Sequence, residues 1–333
     1  MQFNNALICA PDPEEAIDRQ PLTVTPDTLL VSAIALMSQV RGSSCLLHSL
    51  NSKSDLPPMN EARSSCVLVM QGSQLRGIFT ERNIVRLIAS GMNFEGTTIA
   101  EVMSNPVITL KLADFQEIFA ALFLFRRYQI RHLVIVDEQG QLIGVVSPES
   151  IRRVLRPANL LKLRRVSEVM TNQVIHSPMT ASVLSLARLM AEHRVSCVVI
   201  TQEDAEGSFH PVGIVTERDI VQFQALQLDL SKTQAQTVMS TPLFLLSPED
   251  FLWLAHQEMQ RRHVGRLVVS WNWGRGLGLI TQTSLLRVFD PIEMYGVIET
   301  LQRTVKQLEA EKAELLQKCN AELDQQVHSH TAK

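Results

Sequence analysis

The feature that most constrains this chain is that it repeats itself. A Val-Met-Ser/Thr step occurs at Val102-Met103-Ser104, Val169-Met170-Thr171 and Val238-Met239-Ser240, at spacings of 67 and 69 residues. A second marker is a glycine, two apolar residues and a hydroxyl. It occurs at Gly77-Ile78-Phe79-Thr80, Gly144-Val145-Val146-Ser147, Gly213-Ile214-Val215-Thr216 and Gly278-Leu279-Ile280-Thr281, at spacings of 67, 69 and 65. Two independent markers sharing one period identify a chain of four similar units, and a repeat architecture fixes the fold before any single element is read.

The second unit is the most legible. Val107–Leu110 is a short apolar run after Pro106 and reads as a strand. Residues 115–128 carry Ile118, Leu122 and Phe125 at helical spacing. His132–Val136 is rich in β-branched residues, Glu138-Gln139-Gly140-Gln141 supplies a turn, and Leu142–Val146 returns as the other arm of a hairpin. Pro148–Leu155 opens with proline in the first helical turn and reads as a closing helix. The order is strand, helix, strand, strand, helix. A unit of about 60 residues buries little surface alone, so four such units should associate as two pairs. The fold class is therefore mixed α/β, with units at 16–92, 99–157, 166–228 and 235–290. The first carries an inserted exposed loop over 45–63, rich in Ser, Asn, Pro and Lys.

The β-α-β-β-α unit, its Met-Ser/Thr-x-Pro-Val/Leu opening and the sequence Gly213-Ile214-Val215-Thr216-Glu217-Arg218-Asp219 resemble the CBS domain. Gly77-Ile78-Phe79-Thr80-Glu81-Arg82-Asn83 is a near copy, and the resemblance covers about residues 16–290. It implies pairing into two Bateman modules. It also implies an adenosyl ligand (AMP, ADP, ATP or S-adenosylmethionine) in the cleft of a pair, bound as a regulatory ligand, with or without Mg, and no permanent cofactor.

The residues suit that ligand. A ribose offers two neighbouring hydroxyls to a carboxylate. Thr216 and Asp219 stand three apart where a strand turns into a helix, at the free N–H groups of its first turn. Thr80 and Asn83 occupy the matching places, with an uncharged acceptor in the second position. Thr-x-x-Asp is also an N-cap pattern, and the two roles can coexist. Units two and four lack the acid, reading Ser147…Ser150 and Thr281…Ser284, and carry cations instead. Arg126, Arg127 and Arg131 recur 135 residues later as Arg261, Arg262 and Arg266. Odd units would thus supply ribose acceptors. Even units would supply phosphate donors, namely Arg131, Arg266 and His132, since a guanidinium reaches phosphate oxygens bidentately. Such cations favour a phosphorylated ligand over cationic S-adenosylmethionine.

After Pro291, Ile298, Leu301, Val305, Leu308, Lys312, Leu315 and Cys319 alternate at three and four residues among charged neighbours. This predicts a coiled-coil helix over 292–327 and a homodimer joined through it and the paired units. The segment also resembles the helical linker that joins CBS modules to PAS, GAF or kinase regions in sensor histidine kinases of the cyanobacterial kind, which implies a PAS- or kinase-type output domain.

Composition excludes several other classes. The net charge of −3 offers no single-sign field for nucleic acid or a membrane surface. Cys9, Cys45, Cys66, Cys197 and Cys319 are widely spaced with no CxxC pair, which fits a reducing cytoplasm. Residues 1–10 show no secretory leader, and no apolar run reaches membrane-spanning length. There is no Walker loop, nucleophile elbow or paired His/Glu metal spacing, so an enzyme is not expected. The alternative to a nucleotide sensor is a dimerisation scaffold whose nucleotide sites have decayed.

Overall fold

The computed structural model describes residues 12–39, 65–155, 161–204, 207–274 and 276–289, and within them four three-stranded sheets recur. Repeat 1 contains β1 (Thr23–Val24), α1 (Leu30–Gln39), β2 (Cys66–Gln71), β3 (Gln74–Thr80) and α2 (Glu81–Ala89). Repeat 2 contains β4 (Thr109–Lys111), α3 (Ile118–Tyr128), β5 (Leu133–Val136), β6 (Leu142–Val146) and α4 (Pro148–Leu155). Repeat 3 contains β7 (His176–Pro178), α5 (Val183–His193), β8 (Cys197–Glu203), β9 (Phe209–Thr216) and α6 (Glu217–Ala225). Repeat 4 contains β10 (Leu245–Leu246), α7 (Leu252–Arg261), β11 (Arg266–Trp271), β12 (Gly276–Thr281) and α8 (Gln282–Leu286). The predicted order of elements and the mixed α/β class are therefore present four times. The inserted loop over 45–63 and the helix expected over 292–327 lie outside the described residues.

In every repeat the first strand pairs parallel with the second, and the second pairs antiparallel with the third. A parallel pair needs a crossover, which the first helix provides, whereas the antiparallel pair closes through a short turn. The middle strands are the most buried, with β5 enclosed along its whole length.

The two sequence markers meet in space. Ser104 exchanges backbone hydrogen bonds with Ile78 (3.1 and 2.8 Å), which lays the lead-in of repeat 2 along β3 of repeat 1. Ser240 does the same with Ile214 (3.2 and 2.9 Å), and Thr171 with Leu279 (2.9 and 2.9 Å). The fourth exchange is Asp18 with Val145 (2.9 and 3.0 Å), so Ala16-Ile17-Asp18 stands where the other repeats have Val-Met-Ser/Thr. Repeats 1 and 2 thus swap lead-ins, as do repeats 3 and 4. The marker glycine is the landing place: a Cβ on Gly77 would lie 2.3 Å from the Met103 sulfur, and one on Gly213 would lie 2.3 Å from that of Met239.

Each repeat meets two others. The sheets of repeats 1 and 2 face one another through Cys66, Leu68, Val134, Val136 and Val145. Repeats 1 and 3 meet through helices, with α2 against α5 and α6 and α1 against α6, around Ile34, Ile84, Val85, Ala187, Ile220 and Val221. In repeats 2 and 4, α4 packs on α8. A sheet buried on one face and helices buried on the other give each small unit two partners, and so the core it lacks alone.

Gly213→Ala tests the lead-in packing. The new methyl group meets the Met239 Cβ at 3.0 Å as well as its flexible end, so the whole side chain must move. The expected cost is about 1–3 kcal/mol in urea unfolding, part of which Met239→Ala in the same chain restores.

Candidate functional site

The sequence-predicted ribose residues lie at two strand-to-helix junctions. Thr80 ends β3 and caps α2: its N–H and Oγ1–H both donate to Asn83 Oδ1 (3.0 and 2.7 Å), while the Asn83 N–H donates to Thr80 Oγ1 (3.4 Å). Thr216 and Asp219 make the same reciprocal box at the head of α6, at 2.8, 2.8 and 3.4 Å. The capping role is therefore present at both sites. The amide of Asn83 does one thing a carboxylate cannot. Its Nδ2 donates to Ser104 Oγ (3.1 Å) and so ties the junction of repeat 1 to the lead-in of repeat 2. In the even repeats Ser147–Ser150 and Thr281–Ser284 form the equivalent caps with short neutral side chains.

Strand register relates the even-repeat cations differently from the spacing of 135. Leu133 pairs with Val146 and Ile135 with Gly144, while Arg266 pairs with Thr281 and Val269 with Gly278. The counterpart of Arg266 is therefore His132, and Arg131 corresponds to Gly265. The left-handed residues that end α3 and follow α7, Gln129 and His263, give the same offset, one residue shorter than the sequence match suggested. The contacts follow this register. The His132 Nε2 lies 2.7 Å from Ser65 Oγ, and the Arg266 Nε donates to Ser196 Oγ at 3.1 Å. Both serines immediately precede strand residues paired with the capping threonines, Cys66 with Thr80 and Cys197 with Thr216. Their carbonyls accept the first helical N–H groups, those of Glu81 (3.2 Å) and Glu217 (3.0 Å). Each pair of repeats thus brings a ribose-type acceptor of the odd repeat and a side-chain nitrogen of the even repeat to one helix N-terminus.

Arg131 goes elsewhere. It forms an ion pair with Glu217, across from its own pair of repeats, and Arg82 of repeat 1 reaches the same carboxylate at 3.4 Å. Glu217 is 1% exposed. The reciprocal contact, Arg218 to Glu81 at 3.6 Å, completes an exchange between α2 and α6. Burial alone would raise the Glu217 carboxyl, but Arg131 and Arg82 outweigh it and hold the group below the ordinary carboxylate range. Burial likewise opposes the charge on Arg131, and Glu217 more than restores it. Sequence reasoning took Glu81, Arg82, Glu217 and Arg218 only as letters of a motif; the signal that could have marked them is the recurrence of Glu-Arg directly after both capping threonines.

Burial beside Arg131 and Arg82 pushes the His132 imidazole down to about 3, so the ring is neutral at physiological pH. Burial, with Glu81 and Asp18 nearby, pushes the Cys66 thiol up to about 12, which makes it an inert core thiol. Among the described residues no group of three or more His, Cys, Asp or Glu is placed to hold a metal, and no helix is long and apolar enough to cross a membrane.

The His132 shift fixes a pH dependence. Below its ordinary value of 6.5 the unfolded imidazole takes up a proton, while the folded one does not until about 3. Stability is therefore lost as pH falls through that window, and the depressed carboxyl of Glu217 adds to the loss at its acid end. Urea midpoints between pH 7.5 and 5 should decline, and His132→Gln, which keeps a neutral partner for Ser65, should flatten the decline.

Comparison with known proteins agrees with this architecture. The CBS domain model matches residues 99–157, 166–226 and 235–290, together just over half of the chain. An uncharacterized protein of Methanopyrus kandleri is 36% identical over 91 residues, covering 27% of this chain and 45% of that one. An uncharacterized 33.4 kDa protein of Thermofilum pendens is 25% identical over 204 residues, covering 58% and 64%. The chain thus spans less than two thirds of the length of these relatives. Among solved structures, a Methanocaldococcus jannaschii protein proposed to be an archaeal homologue of g-AMPK shares the fold with a TM-score of 0.67 at 19% identity, covering 83% of this chain and 99% of that one.

Proposed function

The chain belongs to the CBS domain family, and from that premise we propose that it is a regulatory adenine-nucleotide sensor rather than an enzyme. One site lies in each pair of repeats. The observation that carries the reading is the convergence of unlike groups at one helix N-terminus: Thr80, Asn83 and His132 around Ser65, and Thr216, Asp219 and Arg266 around Ser196. Ribose hydroxyls would take over Asn83 and Asp219, and phosphate would meet the helix N-termini, with Arg266 in the second pair and neutral His132, joined by Arg131, in the first. The ligand is AMP, ADP or ATP, exchanged as a signal. On this reading it acts in the cytoplasm as a homodimer, and the helix expected over 292–327 would pass occupancy to a PAS- or kinase-type output domain.

Arg131 supplies a route for that signal. A phosphate in the first pair would compete with Glu217 for the guanidinium. Glu217 is the first residue of α6, next to the capping Thr216 of the second pair. Occupancy of one site would then change the electrostatics of the other, which is the differential interaction that allosteric coupling requires.

Isothermal titration of the chain with AMP, ADP, ATP and S-adenosylmethionine should give saturable binding of a phosphorylated adenosine near two per chain. Asp219→Ala together with Asn83→Ala should abolish it. Unchanged affinity in that double variant would remove the ribose assignment. No heat with any of the four favours the scaffold reading, to which the satisfied capping boxes lend support. Glu217→Gln frees Arg131, and AMP affinity in the first pair should rise about tenfold, equivalent to about 1.4 kcal/mol, with adenosine affinity unchanged.

A further inference from the structure

The helix interface of repeats 2 and 4 carries a polar pair that the nucleotide reading does not use. Five residues past the capping position, α2, α6 and α8 have Val85, Val221 and Leu286, all buried apolar residues. At the same place α4 has Arg152, which is 7% exposed. At the matching distance from the start of the first helix, α1 and α5 have Ile34 and Ala187, both in the core between repeats 1 and 3. There α7 has His256, which is 4% exposed. In repeats 1 and 3 these positions are buried and apolar, whereas repeat 2 has a guanidinium at one of them and repeat 4 an imidazole at the other, near enough for the charge of Arg152 to act on His256.

Neither side chain is satisfied by the protein. Arg152 donates from Nη2 to Glu149 Oε1 at 3.3 Å, and its Nε and Nη1 are buried with no acceptor. The Nδ1 of His256 is buried and unpartnered as well. A buried donor left without an acceptor costs about 1–3 kcal/mol, and more when charged, so two such groups in one interface call for a shared acceptor. The surroundings bear on its charge. Trp253 stacks on His256 with ring centroids 5.5 Å apart, and Lys162 lies 5.3 Å over the Trp253 ring. Glu149, which also accepts from Gln282 of α8 at 3.4 Å, places a carboxylate at the edge and disfavours multiply charged anions. Burial, and then the charge of Arg152, push His256 down to about 4; it is neutral at physiological pH, so of the two only Arg152 carries charge.

We propose that Arg152 and His256 bind a single small inorganic monoanion, of the chloride class, between repeats 2 and 4. The anion completes the hydrogen bonding of both side chains and ties α4 to α7, so it sets how firmly the two even repeats hold together independently of the nucleotide clefts.

The test is the thermal midpoint of the nucleotide-free full chain at constant ionic strength, with sodium chloride replacing sodium gluconate. A saturable rise of several degrees with chloride is expected, with a smaller response to sulfate. Arg152→Leu and His256→Ala install residue types that the other repeats carry, and each should remove the chloride dependence whatever it does to the midpoint itself. Arg152→Lys keeps the charge but not the fork of donors, and should weaken the half-saturating chloride concentration severalfold. Equal midpoints in chloride and gluconate would overturn the proposal, as would a chloride response that survives in both apolar variants. An equal response to sulfate would overturn the assignment of a monoanion.

Discussion

A single buried carboxylate, Glu217, joins three of the four repeats. Removing a carboxylate from water costs several kcal/mol unless charge and hydrogen bonds are returned to it. Here the return comes from Arg131 of repeat 2 and Arg82 of repeat 1, onto a residue that begins a helix of repeat 3. The position suits the charge, because the N-terminus of α6 presents the positive end of its helix dipole to it. The core beneath these ion pairs is apolar and non-directional. The ion pairs therefore give the α2–α6 interface a register that hydrocarbon packing alone would not define, and the Arg218–Glu81 contact repeats it in the opposite sense.

Around that centre the four units are held by two different devices. Within each pair the lead-in of one repeat lies along the last strand of the other, and the marker glycines give it room. Between pairs, helices pack on helices. Covalent order and spatial order therefore diverge: repeat 1 meets repeat 3 as well as repeat 2. A change at one strand-to-helix junction has a short path to the other, because both helices that begin there, α2 and α6, belong to one hydrophobic core.

Much of this was legible in the sequence. The period followed from Val-Met-Ser/Thr and Gly-x-x-Thr/Ser, and the strand and helix order from the apolar pattern of the second unit; the structure shows why the two markers travel together: the methionine rests on the glycine. Repeat 1 hid its lead-in because Ile17 fills the methionine's place without matching its letters. The even-repeat cations were found, but aligned one residue out. Side-chain type was the guide there, and only strand pairing reveals that His132 and Arg266 share a position while Arg131 is an addition. The Glu-Arg exchange was invisible for a different reason, since its two halves lie more than a hundred residues apart and sequence proximity says nothing of helices that meet across a core. In the sequence Arg152 is one of six cations between 152 and 165; its burial at a position that is apolar in the other repeats emerges only from the packing of α4.

The account stands on the two strand-to-helix junctions being ligand sites that communicate through Glu217. Amide hydrogen exchange on the full chain, with and without saturating AMP, addresses this most directly. The account predicts slower exchange at residues 80–84 and 216–220, together with a change along α2 and α6 that is lost in Glu217→Gln. Exchange that AMP leaves unaltered at both junctions, or slows at one with no effect across the α2–α6 interface, would contradict it.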